Sequence, residues 1–71
     1  EEDRMVTELL DVLDGRARFA VEQRFGLQDG RRRSYREVGE ELGVTAEAAR
    51  RMVKRAVNAV RMEAASRIDA A

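Results

Sequence analysis

The fold is decided by residues 34–61, SYREVGEELGVTAEAARRMVKRAVNAVR, which show the pattern of two helices joined by a tight turn. Ser34 and Glu37 have the spacing of a capping box, in which the serine hydroxyl accepts a free backbone N–H and the glutamate reaches back to the cap. Gly43 stands where a helix ends in a left-handed turn, and Thr45 can cap the helix that follows. A short helix, a glycine turn and a longer capped helix predict a helix-turn-helix.

Apolar residues recur at helical spacing through both predicted helices. Val38 and Leu42 lie four residues apart on one face of the first helix. At Gly39 we expect the two helices to pass closely, because a larger side chain would hold their backbones apart. The second helix carries an apolar stripe made of Ala49, Met52, Val53, Ala56, Val57 and Val60. An ordinary helical hairpin with a glycine link would give the same pattern, so both interpretations stay open.

The other side of the second helix is polar and mostly basic, and it carries Glu47, Arg50, Arg51, Lys54 and Arg55. The first turns of this helix enter the major groove of DNA in a helix-turn-helix. Arginine suits guanine, because its fork meets O6 and N7 together, and glutamate can accept from the cytosine amino group. We therefore predict base reading by Glu47, Arg50 and Arg51. The alternative is that they form exposed salt bridges, which stabilise little.

Composition predicts one small all-α domain, which we expect to be a piece of a longer chain. Its 71 residues include no proline and are 39% charged and 4% aromatic, which favours solvated helices around a core of Leu, Val, Ala and Met. The net charge is zero, but residues 1–14 carry six acids against one arginine, and residues 31–61 carry nine bases against four acids. This segregation predicts one face with a positive field for phosphates.

Several function classes are disfavoured by what the sequence lacks. It contains no cysteine or histidine, and it has no phosphate-binding glycine loop and no serine beside an activating base, so we predict no enzyme, no small-molecule substrate, no metal and no cofactor. No apolar run approaches ~18 residues and no signal peptide is visible. We therefore expect no membrane contact and a cytoplasmic location.

Two helices are predicted before the helix-turn-helix, an acidic one over residues 3–13 and a second over 15–25, capped by Asp14 and ended by Gly26. The third helix is expected over 35–42, and the fourth over 46–68 with fraying beyond. A set of apolar residues is assigned to the core, although some could instead line a groove for a partner helix: Met5, Leu9, Leu10, Leu13, Phe25 and Leu27.

The loop before the third helix is strongly basic. Arg31, Arg32 and Arg33 precede the capping Ser34, and Arg36 lies in the first turn. These arginines could clamp phosphates, since the free N–H groups at the start of a helix also favour an anion. They could equally be solvated charges, and the sequence leaves both interpretations open.

A family resemblance is carried by residues 24–45, RFGLQDGRRRSYREVGEELGVT. The RFGL-x-DG run followed by EVG-x-x-LGVT resembles region 4 of bacterial sigma-70-type sigma factors, the promoter-recognition subunits of RNA polymerase. The likeness can be followed from about Leu13 to Arg61. It implies a four-helix domain with a C-terminal helix-turn-helix that holds the −35 element of double-stranded promoter DNA. It also implies docking on the flap of the polymerase β subunit.

The resemblance also implies roles for individual positions. Glu47 and Arg50 fall where the family reads −35 bases, and Arg51 falls where it usually has a base-reading glutamine. Positions that match contacts to the DNA backbone are Arg16, Arg24, Ser34 and Tyr35. Arg55 and Arg61 match basic positions that meet DNA or a transcription activator. The remaining partner-binding candidates, toward the polymerase, are Leu9, Leu13, Phe25 and Leu27.

The chain also departs from the family pattern. Ala46 replaces a base-reading arginine, Ala17 a glutamate and Ala49 a larger aliphatic residue, while Val53 replaces an acid. A basic pair is replaced by Asn58 and Ala59. These changes predict either a −35 preference unlike that of a housekeeping sigma factor or weak DNA reading. The alternative function is a sigma-like interaction module that binds RNA polymerase, an anti-sigma factor or another regulator without specific DNA reading.

Overall fold

The protein consists of four α helices and their connecting turns. The computed structural model describes the backbone of residues 2–70 and the side chains of residues 4–68. In chain order the helices are α1 (Glu2–Leu10), α2 (Gly15–Phe25), α3 (Tyr35–Leu42) and α4 (Ala46–Ala70). No strand occurs in this part of the chain, and the predicted all-α, four-helix class is confirmed. None of these helices combines the length and the apolar character needed to cross a membrane.

The helix boundaries differ from the predicted ones at both ends of α1, which begins at Glu2 rather than at residue 3, and at the end of α4. α1 ends at Leu10 rather than at residue 13, because the backbone at Asp14 is already extended to cap α2. The intervening N–H groups of Asp11, Val12 and Leu13 bond to carbonyls three residues back, which tightens the last turn. α4 continues to Ala70, so the predicted end at residue 68 is too early. Fraying was predicted for residues 69–71, but residues 69 and 70 belong to α4, and residue 71 lies outside the described residues.

The predicted caps of the helix-turn-helix are present. The Ser34 hydroxyl accepts from the Glu37 N–H at 3.1 Å, and the Glu37 carboxylate accepts from the Ser34 N–H at 2.9 Å. This bond from the Ser34 backbone also holds the pKa of Glu37 below its ordinary value. Gly43 has φ 73°, in the left-handed region. The Thr45 hydroxyl accepts from the Ala48 N–H at 3.0 Å and so caps α4.

Gly39 marks a close approach of two backbone segments within the helix-turn-helix. A Cβ at this position would lie 2.6 Å from the carbonyl oxygen of Val44 and 3.0 Å from that of Thr45. The Gly39 carbonyl also accepts from the Val44 N–H at 2.9 Å. The predicted need for glycine is confirmed, and the backbone that it admits is the turn entering α4.

Two small apolar clusters form the core. The first joins α2, α3 and α4 through Ala20, Val38, Ala49 and Val53. The second joins α1, α2 and α4 through Leu10, Val21 and Ala56. The neighbouring residues Ala20 and Val21 thus serve different clusters, and the small side chains of Ala49 and Ala56 let α4 lie close to both. The predicted stripe of α4 is confirmed in these buried positions.

Three residues assigned to the core lie at the surface instead. Met5 is 61% exposed, Phe25 43% and Leu27 47%. Leu27 follows the left-handed Gly26, and its backbone N–H donates to the Glu22 carbonyl at 2.9 Å while its side chain stays exposed. Met5 lies early in α1, before the turn that buries Leu10. Leu10 is buried, and Leu9 and Leu13 are half-buried.

α4 runs the length of the molecule. Its 25 residues span about 37 Å at the usual helical rise, and the longest dimension of the molecule is 40 Å. We call residues 29–54 the helix-turn-helix end, which includes α3 and the start of α4. The α1 end comprises residues 2–13 and 59–70, where α1 lies against the later turns of α4.

Candidate nucleic-acid interface

The first turns of α4 contain an ion pair between two of the predicted base readers. Arg50 donates from Nε to Glu47 Oε1 at 3.1 Å and from Nη2 to Glu47 Oε2 at 2.7 Å. These hydrogen bonds lower the pKa of Glu47 and raise that of Arg50. Both side chains remain accessible to solvent. The salt bridge expected from the spacing is therefore present between Glu47 and Arg50.

Arg51 lies beside this pair with its guanidinium free. It makes no hydrogen bond or salt bridge within the side chains of residues 4–68, although it too stands at a helical spacing from Glu47. Lys54, Arg55 and Asn58 continue the same exposed surface along α4 and share a shallow depression with Arg51. Among the described residues neither Lys54 nor Arg55 forms a salt bridge, although the charges of Arg51 and Lys54 help to lower the pKa of Glu47. This surface of α4 therefore carries three bases, Arg51, Lys54 and Arg55, that form no salt bridge among the described side chains.

The tertiary structure brings Arg16 to the same region. Arg16 and Arg55 line one groove although they are far apart in sequence. Arg16 also donates to the Leu42 carbonyl at 3.5 Å, so it links the start of α2 to the end of α3. Arg16, a predicted contact to the DNA backbone, and Arg55, predicted to meet DNA or an activator, thus line the same groove.

Arg24 connects α2 to the entrance of α3. Its guanidinium carbon lies 4.3 Å from the centre of the Tyr35 ring, and its Nη1 donates to the Arg33 carbonyl at 3.1 Å. The Arg24 Nε is buried and has no hydrogen-bond partner among the described residues. Arg24 therefore fixes the position of Tyr35. Ser34, next to this pair, uses its hydroxyl to cap α3.

The basic loop before α3 is largely neutralised by acids. Arg33 contacts the Asp29 carboxylate at 2.8 Å, and Arg31 contacts Glu37 at 3.4 Å. The hydrogen bond from Arg33, helped by the Arg31 backbone N–H, lowers the pKa of Asp29 to about 2. Arg32 is exposed and unpaired within the described side chains. Charge pairing therefore disfavours the phosphate-clamp interpretation for Arg31 and Arg33.

The partner-binding candidates lie in separate grooves. Phe25 and Arg61 meet across one groove whose apolar wall includes Val57. Leu27 lines a second groove against α1, and Leu13 lines a third beside Arg16. Leu9 lies in a fourth, between α1 and the end of α4. The structure thus brings Phe25 and Arg61 together and does not unite them with the three leucines.

Sequence reasoning missed the polar contacts that hold α1. Arg18 donates to Asp11 at 2.7 Å and to Glu22 at 3.1 Å, and it joins the turn after α1 to α2. Arg67 bonds Glu8 of α1 at 3.2 Å across the molecule. The Arg18–Glu22 spacing of four residues was a usable signal, whereas nothing local in the sequence relates Arg67 to Glu8.

Comparison with known families agrees with this geometry. The chain matches the family model described as sigma-70, region 4, over residues 9–62. No curated protein matches it. The matched range contains all of α2 and α3 and the part of α4 that carries the basic surface, and it covers more than half of the chain. The chain therefore belongs to the sigma-70 region 4 family, whose helix-turn-helix domains bind DNA.

Proposed function

We propose that this domain recognises a −35-like element of double-stranded promoter DNA and so acts in transcription initiation as part of a sigma factor. Glu47, Arg50 and Arg51 would enter the major groove on the first turns of α4, as in other helix-turn-helix domains. The observation that carries the proposal is the unpaired basic surface of Arg51, Lys54 and Arg55, on the helix that follows the Gly43 turn.

Contacts to phosphates would flank this groove-reading helix. Arg16 and Arg55 line a common groove, which supports a joint contact to the DNA backbone. At the start of α3, the Ser34 N–H is taken by Glu37, but the N–H groups of Tyr35 and Arg36 make no hydrogen bond within the described residues. These two N–H groups favour an anion, because the helix dipole adds to their hydrogen bonding. Arg24 would contribute by holding the Tyr35 ring in place. Such contacts set orientation and carry no sequence information.

The proposed protein partner is RNA polymerase, contacted through the flap of its β subunit. The groove with Phe25 and Val57 on its wall and Arg61 at its side supports docking of an apolar helix. Leu9, Leu13 and Leu27 would extend the contact area at neighbouring grooves. An activator or an anti-sigma factor could use the basic positions Arg55 and Arg61. This activity belongs in the cytoplasm, at the nucleoid.

A second candidate is a sigma-like interaction module without sequence-specific DNA reading. Two observations favour it. Glu47 takes one edge of the Arg50 guanidinium, and Ala46 stands where the family usually has a base-reading arginine. Such a module would bind the polymerase or an anti-sigma factor, and the zero net charge of this chain is compatible with a protein partner.

Fluorescence anisotropy distinguishes the promoter-reading domain from the interaction module. Binding to a labelled duplex with a −35-type hexamer is compared with binding to a scrambled duplex over a salt series. Non-specific binding weakens with salt on both duplexes, whereas base reading leaves a gap between them. We expect a gap that Arg51→Ala narrows, while Lys54→Ala weakens both duplexes and lowers the salt slope by about one. Arg4→Ala, an exposed arginine of α1, is the matched control. Equal binding to both duplexes, with polymerase binding intact, would favour the interaction module.

A further inference from the structure

We propose that Glu47 is a positioning residue for Arg50 and not a base reader, so that the two side chains together read one guanine while Arg51 reads independently. This inference rests on the proposed function and deepens it. The helical spacing predicted that Glu47 accepts a hydrogen bond from cytosine. The inference replaces that role with the positioning of Arg50.

The geometry of the ion pair leaves Arg50 able to read. Arg50 meets Glu47 side-on, through Nε at 3.1 Å and Nη2 at 2.7 Å. Guanidinium has five N–H donors in a planar fork. The pair with Glu47 uses the Nε hydrogen and one Nη2 hydrogen, so the opposite edge, formed by Nη1 and the other Nη2 hydrogen, has no partner among the described residues. Two parallel donors on one edge are what guanine O6 and N7 require. Arg50 can therefore hold Glu47 and guanine at once.

The same geometry leaves Glu47 poorly suited to reading. Each of its carboxylate oxygens accepts a charge-assisted bond from Arg50, and these bonds are stronger than one from a neutral cytosine amino group. Arg50 therefore sets the orientation of the carboxylate, and a base could use only the lone pairs that this orientation leaves. Glu47 lies in the first turn of α4, where the helix dipole stabilises a carboxylate. An unpaired carboxylate next to DNA would also face repulsion from phosphates. Glu47 therefore stays with Arg50.

Arg50 faces α3 across a groove that it lines together with Tyr35, and the Tyr35 ring is held by Arg24 at 4.3 Å. A side chain whose guanidinium is already held by two hydrogen bonds loses less rotamer freedom when it binds, which favours affinity and a fixed register. Arg51 has no such neighbours bonded to it among the described side chains. The two adjacent arginines thus differ in preorganisation.

The test is binding to a set of duplexes in which each base pair of the −35-type hexamer is replaced in turn. We expect Arg50→Ala to flatten the preference at one base pair by roughly 10-fold, the size of one bidentate contact. Glu47→Ala should flatten the preference at that same pair, and the double variant should add little further. Arg51→Ala should act at a different pair and combine with Glu47→Ala as independent factors.

Glu63→Ala is the matched control for charge. Glu63 pairs with Arg67 Nε at 3.1 Å on the same helix, about 24 Å further along it. Its removal should leave every base preference unchanged. Circular dichroism of all variants checks that α4 still forms, and exposed Glu47 is not needed for the core.

Other outcomes would overturn the inference. If Glu47→Ala and Arg50→Ala act at different base pairs with independent effects, Glu47 reads a base itself and the proposed function still stands. If Glu47→Ala sharpens the preference, the carboxylate competes with DNA for Arg50, and the positioning role is again excluded. If the unaltered domain shows no base preference at any pair, the proposed function fails and this inference fails with it.

Discussion

The helix-turn-helix end and the α1 end of this molecule are held in different ways. At the first, Val38 is fully buried and Gly39 admits the backbone of the turn into α4. At the second, Met62 and Ile68 are 67% and 74% exposed, and the exposed pair of Glu8 and Arg67 bridges the two helices. Buried packing tolerates little change, whereas an exposed ion pair contributes little. Stability should therefore be concentrated at the helix-turn-helix end.

The more firmly packed helix-turn-helix end lies inside the part of the chain that matches the family model, whereas most of the α1 end lies outside it. The match to sigma-70 region 4 covers residues 9–62, which leaves out most of α1 and the last turns of α4. The proposed DNA contacts all lie inside this range. Rigid packing under the first turns of α4 is what a base-reading surface needs, because a site that is loosely supported loses its geometry.

The largest expected effect comes from Gly39→Ala. The new Cβ would lie 2.6 Å from the Val44 carbonyl oxygen, so the turn must move, and we expect a loss of about 3 kcal/mol in the free energy of unfolding. Urea denaturation followed by circular dichroism measures it. Gly15→Ala is the control, since nothing lies within 4 Å of that position. An equal loss in both variants would show that the tight turn is not the cause.

The next largest effect is expected for Val38→Ala, whose loss in the free energy of unfolding we compare with that of Ile68→Ala. Val38 has no exposed surface and Ile68 is 74% exposed. We expect the first change to lower the free energy of unfolding by about 2 kcal/mol, because it leaves a cavity. The second should stay within about 0.5 kcal/mol. If Ile68→Ala costs as much as Val38→Ala, the α1 end is packed more firmly than its exposure indicates.

A smaller effect should appear as the pH falls. The hydrogen bond from Arg33 lowers the pKa of Asp29 to about 2 from an ordinary 3.8. A lowered folded pKa stabilises the fold above the ordinary value, and this contribution is lost as pH falls from about 4 toward about 2. NMR titration of the Asp29 carboxyl should show the low pKa, and Arg33→Ala should return it toward the ordinary value. An unchanged pKa in that variant would remove Arg33 as the cause.

The smallest effect is expected for Arg67→Ala. The Glu8–Arg67 contact of 3.2 Å is solvent-exposed, so its loss should change the free energy of unfolding by less than about 1 kcal/mol. Hydrogen exchange should speed up in α1 and stay unchanged in α3, because Arg67 reaches only the α1 end. Faster exchange in both helices would mean that the two ends unfold as one unit.

Local features were predictable because they depend on residues close in sequence. The capping box of Ser34 and Glu37, the left-handed turn at Gly43 and the four helices follow from contacts between positions at most a few residues apart. The need for glycine at position 39 was also readable, because a short turn brings the second helix back over the first. The basic surface of α4 followed from the same periodicity.

Other features required the tertiary structure. Spacing permits Glu47 to pair with Arg50 or with Arg51, and the structure has the first pair, in which Arg50 also adjoins Tyr35 of another helix. Met5, Phe25 and Leu27 have core-like chemistry yet remain exposed, because burial depends on how far neighbouring helices extend.

The sequence by itself determined the helices, their caps, the tight turn and the family. Only the tertiary structure decided which apolar residues are buried, which arginines are neutralised and which distant residues, such as Arg16 and Arg55, share a groove. The physical reason is range. Helix and turn formation depend on hydrogen bonds between near neighbours, whereas burial and charge pairing depend on where separate helices meet.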